Sequence, residues 1–414
     1  MSKRAAKLVA LVLAVALLLS VPGLVGCGGG GEVSTTNKIK IGWLWDFTGR
    51  ASLGVTQMYQ GLVDYLRMTA EENPVPGAEI EMLTFDTKSD AARVPEGYVW
   101  LKGRGAVMLS AAPQDTELLK PRAVADNLPF YSTSTMQAMI GEGDWLVNMY
   151  GSPDAQLDII TQYIKDNWPS YPTKPKIGIV SLIGIPFYTA QRDYLEKVMA
   201  ANPDKFEYVG AQMAPTTTTV WAVEINKLKA CDYIIVVLSG SPLASFITES
   251  RQRGYTGEFV GLQEGLIGYW SLIKATVSLQ ILDGALCTSY WQWWTDSGSF
   301  VDEVKEYVQK YHSAADAEKI MLTSGPFTGW IYGMMLVDSL RRAAAAVGAE
   351  NVTGADLFQA LKETHMTVEG FKFAWEITPN VNCLLRGVKM MQFSAAQGNF
   401  VPISDYVIPS LLAG

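Results

Sequence analysis

Histidine occurs twice in this chain, at His312 and His365, and cysteine four times, at Cys27, Cys231, Cys287 and Cys383. These side chains most often ligate metals or carry nucleophilic and acid–base chemistry, and here their spacing supports neither. The two histidines cannot build a multi-histidine metal site, and neither has a nucleophile or carboxylate at motif spacing. The last three cysteines lie far apart, show no metal-ligand spacing and could form at most one disulfide. Glycines such as Gly240 and Gly261 do not assemble a phosphate-cradling loop or a dinucleotide fingerprint. No cofactor is implied, and an enzyme is not the expected reading. What remains are aromatic groups that could wall an apolar pocket or simply pack: Phe47; Tyr290, Trp291, Trp293 and Trp294; and Phe327, Trp330 and Tyr332.

The elements that must position these residues begin after an export-like start. Lys3, Arg4 and Lys7 precede an apolar run from Leu8 to Leu19, too short for a mature membrane anchor. Then comes Leu24-Val25-Gly26-Cys27, which resembles a bacterial lipobox, so residues 1–26 are expected to be a signal peptide and Cys27 the lipidated first residue. Residues 27–37 read as a flexible tether. Losing the signal removes three positive charges, so the formal charge moves from -8 to -11. That balance, with no long basic run in the body, argues against nucleic acid and against an electrostatic membrane patch. At 49% hydrophobic residues, the roughly 375 residues left suit two domains better than one.

In the body, strands and helices alternate. Ile39–Trp45 reads as the first strand, before a helix with Met58, Leu62, Tyr65 and Leu66 on its apolar stripe. Strands are expected over 79–85, 105–109 and 129–131, with helices over 90–101 and 115–126 between them. A second series, from Pro153, predicts strands over 176–181, 207–211, 233–238 and 258–261 and a helix over 189–200. Ile234-Ile235-Val236-Val237-Leu238 is apolar without alternation, as in a sheet covered on both faces. The fold class expected is therefore α/β with parallel-rich central sheets. The tail predicts a long helix over 325–346 and short strands over 371–375, 387–393 and 400–403.

Five stretches in order carry a family resemblance. They are Ile39-Lys40-Ile41-Gly42 through Thr48-Gly49; Leu83-Thr84-Phe85-Asp86; Lys176-Ile177-Gly178-Ile179-Val180; Cys231-Asp232-Tyr233-Ile234 with Arg251-Gln252-Arg253-Gly254; and Phe259-Val260-Gly261. As a set the chain resembles the type I periplasmic solute-binding proteins, on the branch that binds leucine, isoleucine and valine for ABC transporters. The resemblance implies two Rossmann-like lobes joined by three crossovers. Lobe one would be 38–155 plus 288–365, lobe two 156–287 plus 366–407, and 408–414 a tail. It also implies an extracytoplasmic protein that takes a small ligand, an amino acid or related organic acid, to an ABC permease, with the lipid as its hold on the membrane. A sensor working with a membrane receptor, or a binder of aromatic acids or amides, stays open.

The resemblance also places the site. Gln114 and Thr116, at a helix start, and Ser132, Ser134 and Met136, after the next strand, would receive the ligand on lobe one; Phe47 and Phe327, among the aromatic groups above, are candidates for an apolar wall there. Amides at a helix N-terminus beside hydroxyls suit an anion. Asp115 departs from the pattern: in the cleft it would repel a carboxylate, and the favoured role for it is to cap its own helix. On lobe two, Phe187 and Tyr188 would supply aromatic contact and Glu264, one residue off the usual spacing, the partner for an ammonium group.

Overall fold

A computed structural model describes residues 37–49, 51–133, 141, 145–170, 172–378 and 381–412. Cys27, the signal and nearly all of the tether, as well as Ser134 and Met136, lie outside the described residues. The first series contributes β1 (Asn37–Trp45), β2 (Ala78–Asp86), β3 (Ala106–Ala111), β4 (Phe130–Ser132) and β5 (Leu146–Tyr150). The second contributes β6 (Lys176–Leu182), β7 (Glu207–Ala214), β8 (Tyr233–Val236), β9 (Glu258–Gly261) and β10 (Leu286–Ser289). The tail adds β11 (His365–Met366), β12 (Trp375–Glu376), β13 (Cys383–Leu385), β14 (Lys389–Ser394) and β15 (Asn399–Pro402).

Two main sheets result, ordered β13-β5-β4-β3-β1-β2 and β15-β14-β10-β9-β8-β6-β7. The first is parallel throughout; in the second β6 to β10 run parallel and β14 and β15 join antiparallel at one edge. This is the two-lobe α/β architecture expected. Ile234, Ile235 and Val236 are all buried, the burial pattern of a strand covered on both faces.

One assignment needs correction. Residues 366–407 do not all complete lobe two, because Cys383 and Leu385 pair with Asn148 and Tyr150 at the edge of the first sheet. The chain therefore passes between sheets three times: after β5, after β10 and between β13 and β14. Cys231, Cys287 and Cys383 are buried free thiols, so no disulfide links them.

Helix starts explain much of the local register. Helix Pro153–Asn167 opens with proline at its first position, and Ser152 accepts from the Ala155 amide, a side-chain cap. Helix Pro113–Asp126 also opens on proline and ends on Asn127 in the left-handed region at φ 49°. His312 bonds Asp64 at 2.7 Å, tying the end of helix Ser299–Tyr311 to helix Ser52–Ala70.

Helix Gly325–Val347 is the spine of lobe one and packs against helix Ser52–Ala70. Their backbones touch where glycine removes the side chain. A Cβ on Gly329 would lie 2.0 Å from the Met58 carbonyl oxygen and 2.4 Å from the Leu62 nitrogen. Backbone cannot yield as a side-chain tip can, so Gly329→Val is expected to cost about 3 kcal/mol, the upper end of the usual overpacking range. A melting temperature equal to wild type would refute this crossing.

Candidate ligand-binding cleft

In open α/β sheets, ligands sit outside the carboxyl ends of the parallel strands, where loops and helix starts converge. On lobe one those ends carry Asp46 and Phe47 after β1, the start of helix Pro113–Asp126 after β3, and Thr133 after β4. On lobe two they carry the start of helix Pro186–Ala201 after β6, Ser239 after β8, and Gln263 and Glu264 after β9. Helices Pro113–Asp126 and Pro186–Ala201 touch, so the lobes meet across the mouth.

At the base, a buried network centres on Gln156 in helix Pro153–Asn167. Its amide nitrogen donates to both carboxylate oxygens of Glu264, each at 2.9 Å. Its oxygen accepts from the Gln263 amide at 3.0 Å and the Thr288 hydroxyl at 2.5 Å. Gln263 in turn accepts from the Tyr290 amide at 2.7 Å, and the Tyr290 hydroxyl donates to the Ser152 carbonyl at 3.2 Å. The network thus joins β9 to the chain just past two of the three passes. Tyr150 packs against Tyr290 and Trp291 at ring separations of 5.2 and 4.9 Å. Burial, and then the Glu264 charge, hold the Tyr150 phenol well above its ordinary range, so it stays a neutral hydroxyl.

The expected site residues separate into groups. Glu264 is half-buried at the base, its carboxylate fixed by Gln156. Phe187 and Tyr188 are half-buried at the first turn of their helix, edge to face at 5.6 Å, and the Tyr188 hydroxyl bonds Ser239 at 2.7 Å. Phe47 is half-buried against the edge of Tyr59 at 5.4 Å. Ser132 is buried and donates to the Ala111 carbonyl at 2.9 Å, and Thr116 donates to the Pro113 carbonyl at 2.7 Å, so each hydroxyl hydrogen is engaged locally. Gln114 is exposed.

Two expectations need correction. Phe327 is fully buried between Trp294 and Phe300, at 4.1 and 5.9 Å, and works as core packing. Tyr290, Trp291, Trp293 and Trp294 are likewise buried, as a packed crossover requires. Asp115 does not cap its helix: Ala112 holds the N-cap position, and no side chain caps there. Asp115 is buried, at 7% residue exposure, and burial, then the nearby Asp46 charge, push its carboxyl up to about 7. Asp46 itself is spoken for, accepting from the amides of Gly49 and Ala51 and from the Ser89 hydroxyl.

Sequence reasoning missed Gln156, Thr288 and Tyr150. A glutamine beside Leu157, Ile159 and Ile160, just after a Ser-Pro helix start, was the available signal for the first.

The family model for periplasmic binding proteins matches residues 38–399. The chain belongs to the periplasmic binding protein family. No curated protein sequence matches it significantly. Among solved structures, a branched-chain amino acid ABC transporter protein from Thermus thermophilus with bound valine is similar at 16% identity and TM-score 0.78, covering 91% of this chain and 98% of that one. A fatty acid ABC transporter substrate-binding protein from Thermomonospora curvata is similar at 17% identity and TM-score 0.78, with 91% and 94% covered. A solute-binding protein from R. palustris in complex with benzoate follows at 13% identity and TM-score 0.71, with 91% and 99% covered. At these identities the likeness is one of fold. Family and fold are those of non-catalytic solute-binding proteins.

Proposed function

We propose that this periplasmic binding protein captures a small organic solute bearing an ammonium group, amino acids being the first class to test, and delivers it to an ABC importer. The observation that carries the reading is Glu264, a carboxylate fixed by Gln156 at the base of the cleft beside the interlobe passes. A cation placed there gains a charge-assisted bond without the carboxylate having to reorganise. The aromatic residues Phe187, Tyr188 and Phe47 at the strand ends suit the organic part of such a solute.

In this reading the lobes hinge about the three passes, ligand contacts from both sides favour the closed form, and the permease recognises that form. Acylation of Cys27 keeps the protein outside the cytoplasm at the membrane, next to its partner.

Thermal-shift screening of the mature chain against amino acids, aromatic acids, amides and polyols tests this. A ligand at a hundred times its Kd stabilises by about 2.7 kcal/mol, a rise of roughly 3–4 °C for a chain of this size. Glu264→Gln should remove most of that rise. A best ligand without an ammonium group, or an unaltered response in the variant, refutes the assignment of the ammonium partner.

A further inference from the structure

Asp115 sits in the first turn of its helix, at the carboxyl end of β3, with 7% exposure. Among the described residues no group donates a hydrogen bond to it and no cation pairs with it. Asp46, at the end of the adjacent β1, is the ionisable group whose charge bears on it, and the Asp46 oxygens are already occupied by their own loop. A buried carboxylate with unclaimed lone pairs is costly unless something supplies a positive charge. The negative ends of two side chains together also repel any anion brought to that wall, which opposes the pull of the helix N-terminus. Phe47 follows Asp46 in the chain and packs against Tyr59, and the helix that carries Asp115 touches the helix that carries Phe187 and Tyr188.

We propose that Asp115 binds a cationic group of the ligand, so that the solute is a small organic amine without a carboxylate. This rests on the proposed capture of an ammonium-bearing solute in the cleft and narrows its class. The ligand's charge replaces the missing partner of Asp115, and an α-amino acid would instead set its carboxylate against it.

The test uses the mature protein and matched pairs that differ only in the carboxylate: leucine and 3-methylbutylamine, phenylalanine and 2-phenylethylamine, lysine and cadaverine. Calorimetric titration at pH 8 should find, in at least one pair, the amine bound tenfold or more tightly than its amino acid. Between pH 6 and pH 8 that amine's affinity should rise about tenfold, as a carboxyl near neutrality ionises. In Asp115→Asn both the preference and the pH dependence should vanish; Asp115→Ser provides a second variant, with circular dichroism to check that each is folded. Amino acids bound more tightly than their amines, a preference that survives in both variants, or no binding by any of the six compounds each overturns the proposal. Failure of the wider capture reading looks different: the best stabiliser in the thermal-shift screen would carry no ammonium group, or no compound of any charge would stabilise the protein.

Discussion

At pH 8 the Asp115→Asn protein should melt about 3–4 °C above wild type, and the gap should shrink as the pH falls towards 5. In the folded state the Asp115 carboxyl is pushed up to about 7 by burial and by Asp46; in the unfolded chain it titrates near about 3.9. The folded protein therefore keeps its proton across a window in which the unfolded chain has lost it. Stability falls as the pH rises through that window and levels off above the folded value, the reverse of a carboxylate held in an ion pair. The loss between pH 5 and pH 8 amounts to about 2–3 kcal/mol, or roughly 3–4 °C. Asparagine has no such proton to lose. Parallel melting curves against pH for the two proteins would show that Asp115 carries no such penalty.

Gln156→Leu should destabilise by about 3–6 kcal/mol and blunt the response to ligand. The substitution keeps the side-chain volume but strips three partners at once. The Gln263 amide and the Thr288 hydroxyl lose their acceptor, and Glu264 loses both of its bonds to Gln156. Each buried polar group left unmatched costs about 1–3 kcal/mol. Gln263 and Thr288 contact each other at 3.2 Å, which recovers part of one bond. The urea midpoint measures the loss, and a change under about 1 kcal/mol would mean that the network does not hold the passes together.

These side chains show what the sequence could and could not reveal. Runs such as Tyr233–Val236 and Glu258–Gly261 declare themselves, since β-branched and aromatic residues without alternation have few other uses. Cys383–Leu385 carries no such local sign. It is a three-residue strand whose partner, Leu146–Tyr150, lies more than two hundred positions earlier, and only the assembled sheet gives it a place. Asp115 misled for a different reason. An acid in the first turn suits a capping box, but that device needs a serine or threonine at the N-cap, where this chain has Ala112. Phe327 misled because a large ring at a helix start reads equally as pocket wall or as core, and its neighbours Trp294 and Phe300 decide for core. Glu264 could be picked out by position, whereas the group that orients it, Gln156, is 108 residues away.

The last strands also bear on how the protein is made. Neither sheet can be completed until the tail is made: the first waits for β13, ending at residue 385, and the second for β14 and β15, ending at residue 402. Contacts of such long sequence separation are slow to form, and a nascent chain exposes unpaired strand edges while it waits. In the export proposed for this protein, such a delay would defer maturation to the far side of the membrane, where the last strands to arrive complete the second sheet.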